Sequence, residues 1–253
     1  MVTVQQIERR LYRAPLPGDP WLVPRGYQTP ASAYPKTRVG RARIVRRAYP
    51  PAVYEMYGVR GHRYYQLDGR LLVTALEIAG QTWMVDDPVH WEAVQELAAR
   101  FRPGRALIAG LGLGLIVHAL AARSDVEAIV VERDPDVIAL IEPRVPNAHV
   151  GIVQADFWDV VATVTPGEYS TLFVDLWVGD GPALWHAGLG EIWEALEARF
   201  GETAEVIMFG YQGRVDQVRE MRRAWANVPD EVKACLLAQS VASVEGGVDG
   251  SGA

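Results

Sequence analysis

The sequence predicts an α/β protein: a doubly wound, mostly parallel sheet preceded by a smaller β-rich region. Three observations predict it. Continuous apolar runs such as ALIAG (106–110), AIVV (128–131) and TLFV (171–174) alternate with helical stretches, the pattern of strands covered on both faces and joined by crossover helices. The run LIAGLGLGLIVHAL (107–120) places three alternating glycines where the first of these strands passes into a helix. From 38 to 85 the pattern is one of short strand-forming runs separated by turn residues.

The elements follow in order. Prolines at 15, 17, 20, 24, 30 and 35 deny residues 1–37 a sustained period, so this stretch reads as an extended arm that wraps a neighbour or stays mobile. Residues 38–86 form a hairpin-rich region. In YYQLDGRLLVT, Asp68-Gly69 between two strand-forming runs predicts a two-residue hairpin, because both central positions of that turn need positive φ. TALEIAGQTWMV predicts a second hairpin turning at Ala79-Gly80. A helix opens at DDPVHWEAVQELAARF, with Asp87 as cap, Pro88 at the first position, and Val94, Leu97, Ala98 and Phe101 on one face. Residues 87–245 then alternate strands near 105–110, 126–132, 149–154, 169–175 and 204–209 with helices at 114–123, 135–142, 157–163 and 184–200. Residues 230–244 remain for any further edge strand, and the glycine-rich 246–253 reads as a loose tail.

Composition narrows the function classes. With 253 residues, 49% hydrophobic and 22% charged, the chain buries a full core. Apolar runs stop at about eight to ten residues, short of the ~20 a membrane span requires, and MVTVQQIERRLYR lacks an apolar signal core, so a soluble cytoplasmic protein is expected. Cys235 is the only cysteine, which excludes an internal disulfide and a cysteine zinc cluster. His62, His90, His118 and His149 lack metal-ligand spacing, so no metal is assigned. The net charge of −6 conceals +9 over residues 1–70 and −15 over the remainder. The basic segment RVGRARIVRR (38–47) offers charge for phosphates, but a solvated edge strand that resists aggregation is the preferred reading, and nucleic acid is not the favoured partner.

Gly110, Gly112 and Gly114 allow a tight turn and close backbone approach to a ligand at a helix N-terminus. The dinucleotide fingerprint G-x-G-x-x-G would need glycine at 115, where Leu115 stands; G-x-G-x-G instead fits the turn used by S-adenosylmethionine-dependent transferases. Strand two ends in VVERDPDVI, delivering Glu132, a carboxylate able to accept from both ribose hydroxyls. In QADFWDVV, Asp156 suits an adenine amino group and Phe157 the ring, while Asp156 equally suits the N-cap of the next helix. FVDLWVGDGP delivers Asp175 to the carboxyl edge of the sheet.

Over residues 64–200 the order of these motifs resembles the spermidine synthase-like branch of the class I S-adenosylmethionine-dependent methyltransferase superfamily, which implies a Rossmann-like fold. LDG (67–69) resembles the family's entry to its N-terminal sheet, LIAGLGLG its glycine turn, and VERDPDVI its ribose segment, giving Glu132 and Asp134 counterparts. QAD (154–156) resembles its adenine element, and DLWVGDGP its D-S-S-D-P-x-G-P, keeping Asp175, Gly181 and Pro182. There are departures. Ile108 replaces the acid that most methyltransferases carry two residues before the first glycine. Val178 and Gly179 replace the second aspartate and the proline, with Asp180 two positions later. The acid-rich hairpin stretch reads Leu72, Val73, Thr74, Ala75, Leu76, Glu77, Ile78, then Gln81 and Trp83. A polyamine cation needs carboxylates to replace its hydration, so polyamine synthesis is disfavoured.

The expected function is therefore a transferase using S-adenosylmethionine, or its decarboxylated form, with methyl transfer to a small-molecule acceptor as the default chemistry. Asp175 is the expected base or orienting group, with Asp180 and His186 on the following loop as weaker candidates. Trp177, Trp185, Tyr65 and Tyr211 are candidates for an apolar acceptor wall, although each alone reads better as core. The alternatives are aminopropyl transfer, with Glu77 and Asp180 replacing the missing acids, and a catalytically silent nucleoside-binding scaffold whose basic arm docks onto a partner. The resemblance also implies a homodimer, with the proline-rich arm as a strap.

Overall fold

The computed structural model describes residues 20–59, 61–146, 148–176, 188–230 and 233. The chain divides into two compact units, residues 1–213 and 214–253. Among the described residues the first unit carries three sheets.

One sheet is antiparallel with four strands, β2 (Thr37–Val39), β3 (Ala42–Tyr49), β6 (Leu71–Ile78) and β7 (Gln81–Val85), in that spatial order. A second joins β1 (Trp21–Leu22), β5 (Gly61–Leu67) and β4 (Ala52–Gly58), in that order. The turn at Ala79-Gly80 is as predicted: φ is +51° and +84°, and Ile78 pairs with Gln81. The Asp68-Gly69 hairpin does not form. Strands β5 and β6 belong to different sheets, and residues 68–70 only connect them. Local turn chemistry loses here to long-range pairing, since β6 aligns eight residues antiparallel with β3 while β5 pairs with β4 and β1.

The basic segment is only in part a solvated edge: Arg38 and Val39 lie on the edge strand β2, and Arg41 in the following turn is exposed. Strand β3 lies inside its sheet, between β2 and β6. Arg43 and Arg47 grip Glu77, at 2.5 Å and 2.9 Å, and Arg46 donates to the carbonyls of Ser32 and Tyr34, both at 2.6 Å. The arginines thus satisfy buried acceptors of their own chain.

The same contacts pin the proline-rich arm from residue 20 onward. Val23 donates to the Gln66 carbonyl, a 3₁₀ turn at Pro30–Ala33 buries Ala31, and Tyr34 enters the main core. Asp86 accepts from the Thr29 hydroxyl and the Thr74 amide, joining arm, β6 and β7 at one buried carboxyl; burial pushes its pKa up while these hydrogen bonds oppose the shift. The arm therefore packs on its own chain over these residues, and 1–19 lie outside the described residues.

Helix α1 (Pro88–Ala98) opens as expected, with the Asp87 carboxylate accepting from the amides of Val89 and His90 at 3.0 Å. Beyond it lies the third sheet, five parallel strands: β8 (Gly104–Ala109), β9 (Val126–Glu132), β10 (Val150–Gln154), β11 (Thr171–Val174) and β12 (Glu205–Met208). Their spatial order is β10-β9-β8-β11-β12, so the winding starts at the centre, runs outward, and returns to continue on the other side. Because parallel crossovers are right-handed, that reversal puts helices on both faces. The linking helices are α2 (Leu115–Leu120), α3 (Pro135–Ile141), α4 (Phe157–Thr163) and α5 (Leu189–Phe200). The expected start of α5 at 184 falls outside the described residues. Helix α6 (Gln212–Ala226) follows β12 and crosses into the second unit. Most of 230–244, and all of the tail from 246, lie outside the described residues. No described helix is long and apolar enough to cross a membrane.

Ala79 is the one described non-glycine residue with positive φ, and it is exposed. An L-alanine there costs about 1–2 kcal/mol, which asparagine partly avoids. Ala79→Asn is expected to raise stability by about 0.5–1 kcal/mol, read as a higher urea midpoint with unchanged slope; a lower midpoint contradicts the turn assignment.

Candidate active site

Where β8 ends, the backbone makes the side-chain-poor turn 110–114 before α2. Gly110, Gly112 and Gly114 have φ of +89°, +52° and +70°, a region costly for any residue with a Cβ. Each glycine also has a packing reason. A Cβ on Gly110 would lie 2.4 Å from the Asp175 carbonyl oxygen, and one on Gly114 would lie 2.2 Å from Val145. One on Gly112 would meet the Sδ and Cε of Met84 at 2.9 Å. Gly110 thereby lets β11 end close against the turn, which locates Asp175. Behind the turn the Tyr34 hydroxyl donates to the Leu113 carbonyl at 3.1 Å and lies 2.7 Å from His118 Nε2.

Glu132 closes β9, one strand over. Its two carboxylate oxygens accept from the amide of Leu111 at 3.0 Å and of Asp134 at 2.8 Å. This fixes the carboxylate between the glycine turn and the start of α3, with lone pairs left for further donors. Asp134 caps α3 through the Asp136 amide, 2.9 Å away, and pairs with Arg41 at 3.0 Å. Arg41 belongs to the turn between β2 and β3; its amide donates to Asp136 at 2.8 Å, and Gly40 beside it has no Cβ to strike that carboxylate. Asp156 caps α4, accepting from the Trp158 amide at 2.8 Å.

These groups surround one cavity of about 530 Å³, a size suited to a small-molecule ligand. It runs along the carboxyl edge from Asp156, Phe157 and Trp158 beyond β10, past Glu132 and Asp134 at β9, to Gly110, Gly112 and Asp175 at β8 and β11. Leu76, Ile78, Trp83 and Met84 from β6 and β7 form its other side. Of the residues singled out by sequence, Gly114 does not line the cavity; it packs on α3 instead. Tyr65 lies in the core of the N-terminal region, its ring 5.2 Å from that of Tyr54, and Tyr211 abuts Gly190. Asp180, His186, Trp177 and Trp185 lie outside the described residues. Glu77 does not line the cavity, being held by Arg43 and Arg47.

Sequence reasoning missed Arg41, Met84 and Trp158. Trp158 is 42% exposed, whereas Phe157, its T-shaped neighbour at 5.2 Å, is 3% exposed. An aromatic pair opening a helix at a strand end was the available signal. Arg41 and Met84 come from a different sheet, and only the fold brings them here.

Asp175 follows β11, its amide bonded to the Ala109 carbonyl at 3.1 Å. Burial pushes its carboxyl up to about 7. Beside it, at the end of β12, the ring of Phe209 packs against His90 with centroids 4.7 Å apart, and burial lowers His90 to about 4, leaving it neutral. A carboxyl half-ionised near neutrality is suited to take a proton from a substrate N–H or O–H.

No family model matches the sequence, and no curated protein matches it. Among solved structures, similarity is found to a probable spermidine synthase from Corynebacterium glutamicum, at 17% identity over 54% of this chain and 53% of that one, TM-score 0.36. A precorrin 8W decarboxylase from Methanobacterium thermoautotrophicum matches at 18% identity over 48% and 63%, TM-score 0.35. The spermidine synthase of Thermotoga maritima matches at 20% identity over 54% and 45%, TM-score 0.34. The chain spans about half the length of these proteins.

The raised pKa of Asp175 makes stability depend on pH. Between its unfolded value near 4 and its folded value near 7, the native state holds a proton that the unfolded state has released. Stability therefore falls as pH rises through that window and levels off above it. Urea unfolding at pH 5 and pH 8 is expected to show Asp175→Asn gaining on the wild type at the higher pH; equal differences at both pH values contradict the buried carboxyl.

Proposed function

We propose that the chain is an S-adenosylmethionine-dependent transferase whose default chemistry is methyl transfer to a small-molecule acceptor. The carrying observation is Glu132, a carboxylate fixed at the end of β9 beside a glycine turn and facing the cavity that stretches from Phe157 to Asp175. The residues present fit the cofactor. Glu132 is matched to a pair of ribose hydroxyls, the Phe157 and Trp158 end to a purine ring, and the bare backbone of Gly110 and Gly112 to the segment beyond the sugar. When bound, S-adenosylmethionine supplies a carbon already activated by its sulfonium.

The protein's share is then positioning and proton removal. Glu132 and Asp156 set the nucleoside along the strand ends, and the apolar side formed by Leu76, Ile78 and Trp83 limits water. Asp175 receives the acceptor's proton, and its elevated pKa places the gain of activity at and above neutral pH. Asp180, further along the sequence, is proposed as a second acid.

Aminopropyl transfer from the decarboxylated cofactor is the second reading. It is less favoured because Glu77, the acid it needs, has both oxygens engaged by Arg43 and Arg47. Nucleic-acid binding loses support for the same reason, since Arg43, Arg46 and Arg47 are spent on internal acceptors. A homodimer remains the proposed assembly.

Calorimetry with S-adenosylhomocysteine and methylthioadenosine tests the reading. Micromolar binding of S-adenosylhomocysteine, lost by tenfold or more in Glu132→Ala, is the expected outcome, about 1.4 kcal/mol or more of binding energy. Unaltered affinity in a Glu132→Ala protein whose circular dichroism matches the wild type overturns it.

A further inference from the structure

Building on the transferase reading, we infer that Met84 sets the length of the 5′ substituent that a bound nucleoside can carry. In a nucleoside the base leaves C1′ and the 5′ carbon leaves C4′, on opposite flanks of the sugar ring. With the sugar at Glu132 on β9 and the base toward Phe157 beyond β10, the 5′ substituent runs the other way, over Gly110 and Gly112 toward Asp175. That stretch already holds a side chain. Met84 comes from β7, lines the cavity, and accepts from the Leu113 amide at 3.2 Å through its sulfur. Its Sδ and Cε both lie 2.9 Å from where a Cβ on Gly112 would stand. The opening created by the absent side chain of Gly112 is thus occupied by the flexible end of Met84.

A short apolar thioether fits beside Met84 in this position. A full amino-acid tail requires the side chain to withdraw. Withdrawal breaks a weak N–H···S contact and gives up some packing on the core, and three rotatable bonds give the side chain other places to go. Met84 therefore acts as a movable stop, a specificity-determining residue that the N-terminal sheet supplies to the sheet edge. Its contacts have no counterpart at Gly110, whose missing Cβ faces rigid backbone.

The test measures dissociation constants of full-length wild type, Met84→Ala and Met84→Phe for methylthioadenosine and S-adenosylhomocysteine by calorimetry. Met84 is partly exposed, so both variants are expected to fold, and thermal melts followed by circular dichroism check this. Shortening the stop should improve S-adenosylhomocysteine relative to methylthioadenosine by about tenfold, and replacing it by a bulkier ring that cannot fold aside should worsen that ratio by about as much, the usual effect of a few atoms in an apolar pocket. If the ratio stays within about twofold of wild type in both variants, Met84 does not set the length. If the wild type binds neither nucleoside, the transferase reading itself fails and this inference with it. Binding of both with an unmoved ratio leaves that reading standing and removes Met84 alone.

Discussion

The structure at the sheet edge depends on one carboxylate holding two backbone amides. Glu132 accepts from Leu111 in the glycine turn and from Asp134 at the head of α3, so a single side chain fixes the relative position of two strand-to-helix junctions. Hydrogen bonds to a charged acceptor contribute about 1.5–3 kcal/mol each, more than a neutral pair. Without that tie, the amide of the buried Leu111 would lose its acceptor in a turn whose three glycines have positive φ. The group proposed to bind the ribose is therefore also the group that ties together the two junctions beside it.

The N-terminal sheets complete the site from the other side. The arm inserts Tyr34 behind the glycine turn, β7 lays Met84 on Gly112, and the β2–β3 turn brings Arg41 onto Asp134 and Asp136. Arg41 is 65% exposed, so its ion pairs contribute little by themselves. The backbone amide of the same residue on Asp136 is the firmer contact, and it exists because Gly40 has no side chain to obstruct it. Pairing of the buried Glu77 with Arg43 and Arg47 braces this sheet internally.

What was legible in the sequence was local. Apolar runs marked the five parallel strands, Asp87, Asp134 and Asp156 all stand at helix starts, and Ala79-Gly80 turned as its backbone preference required. Asp68-Gly69 carried an equally good turn signal and failed, because β6 satisfies more of its backbone against β3 than against its neighbour in sequence. The arginines of 38–47 read as surface charge, since nothing local reveals that their partners are carbonyls of residues 32 and 34 and the acid at 77. Most of the cavity's lining belongs to the motifs at the strand ends; Leu76, Ile78, Trp83 and Met84 come from β6 and β7, and their role is a consequence of tertiary placement.

A crystal structure of the chain with S-adenosylhomocysteine tests the central claim most directly. The account predicts both ribose hydroxyls within hydrogen-bonding distance of the Glu132 carboxylate, the purine against Phe157 or Trp158, and the sulfur over Gly110 and Gly112 near Asp175. A nucleoside bound elsewhere, or held in the cavity with Glu132 still serving only the Leu111 and Asp134 amides, would contradict it.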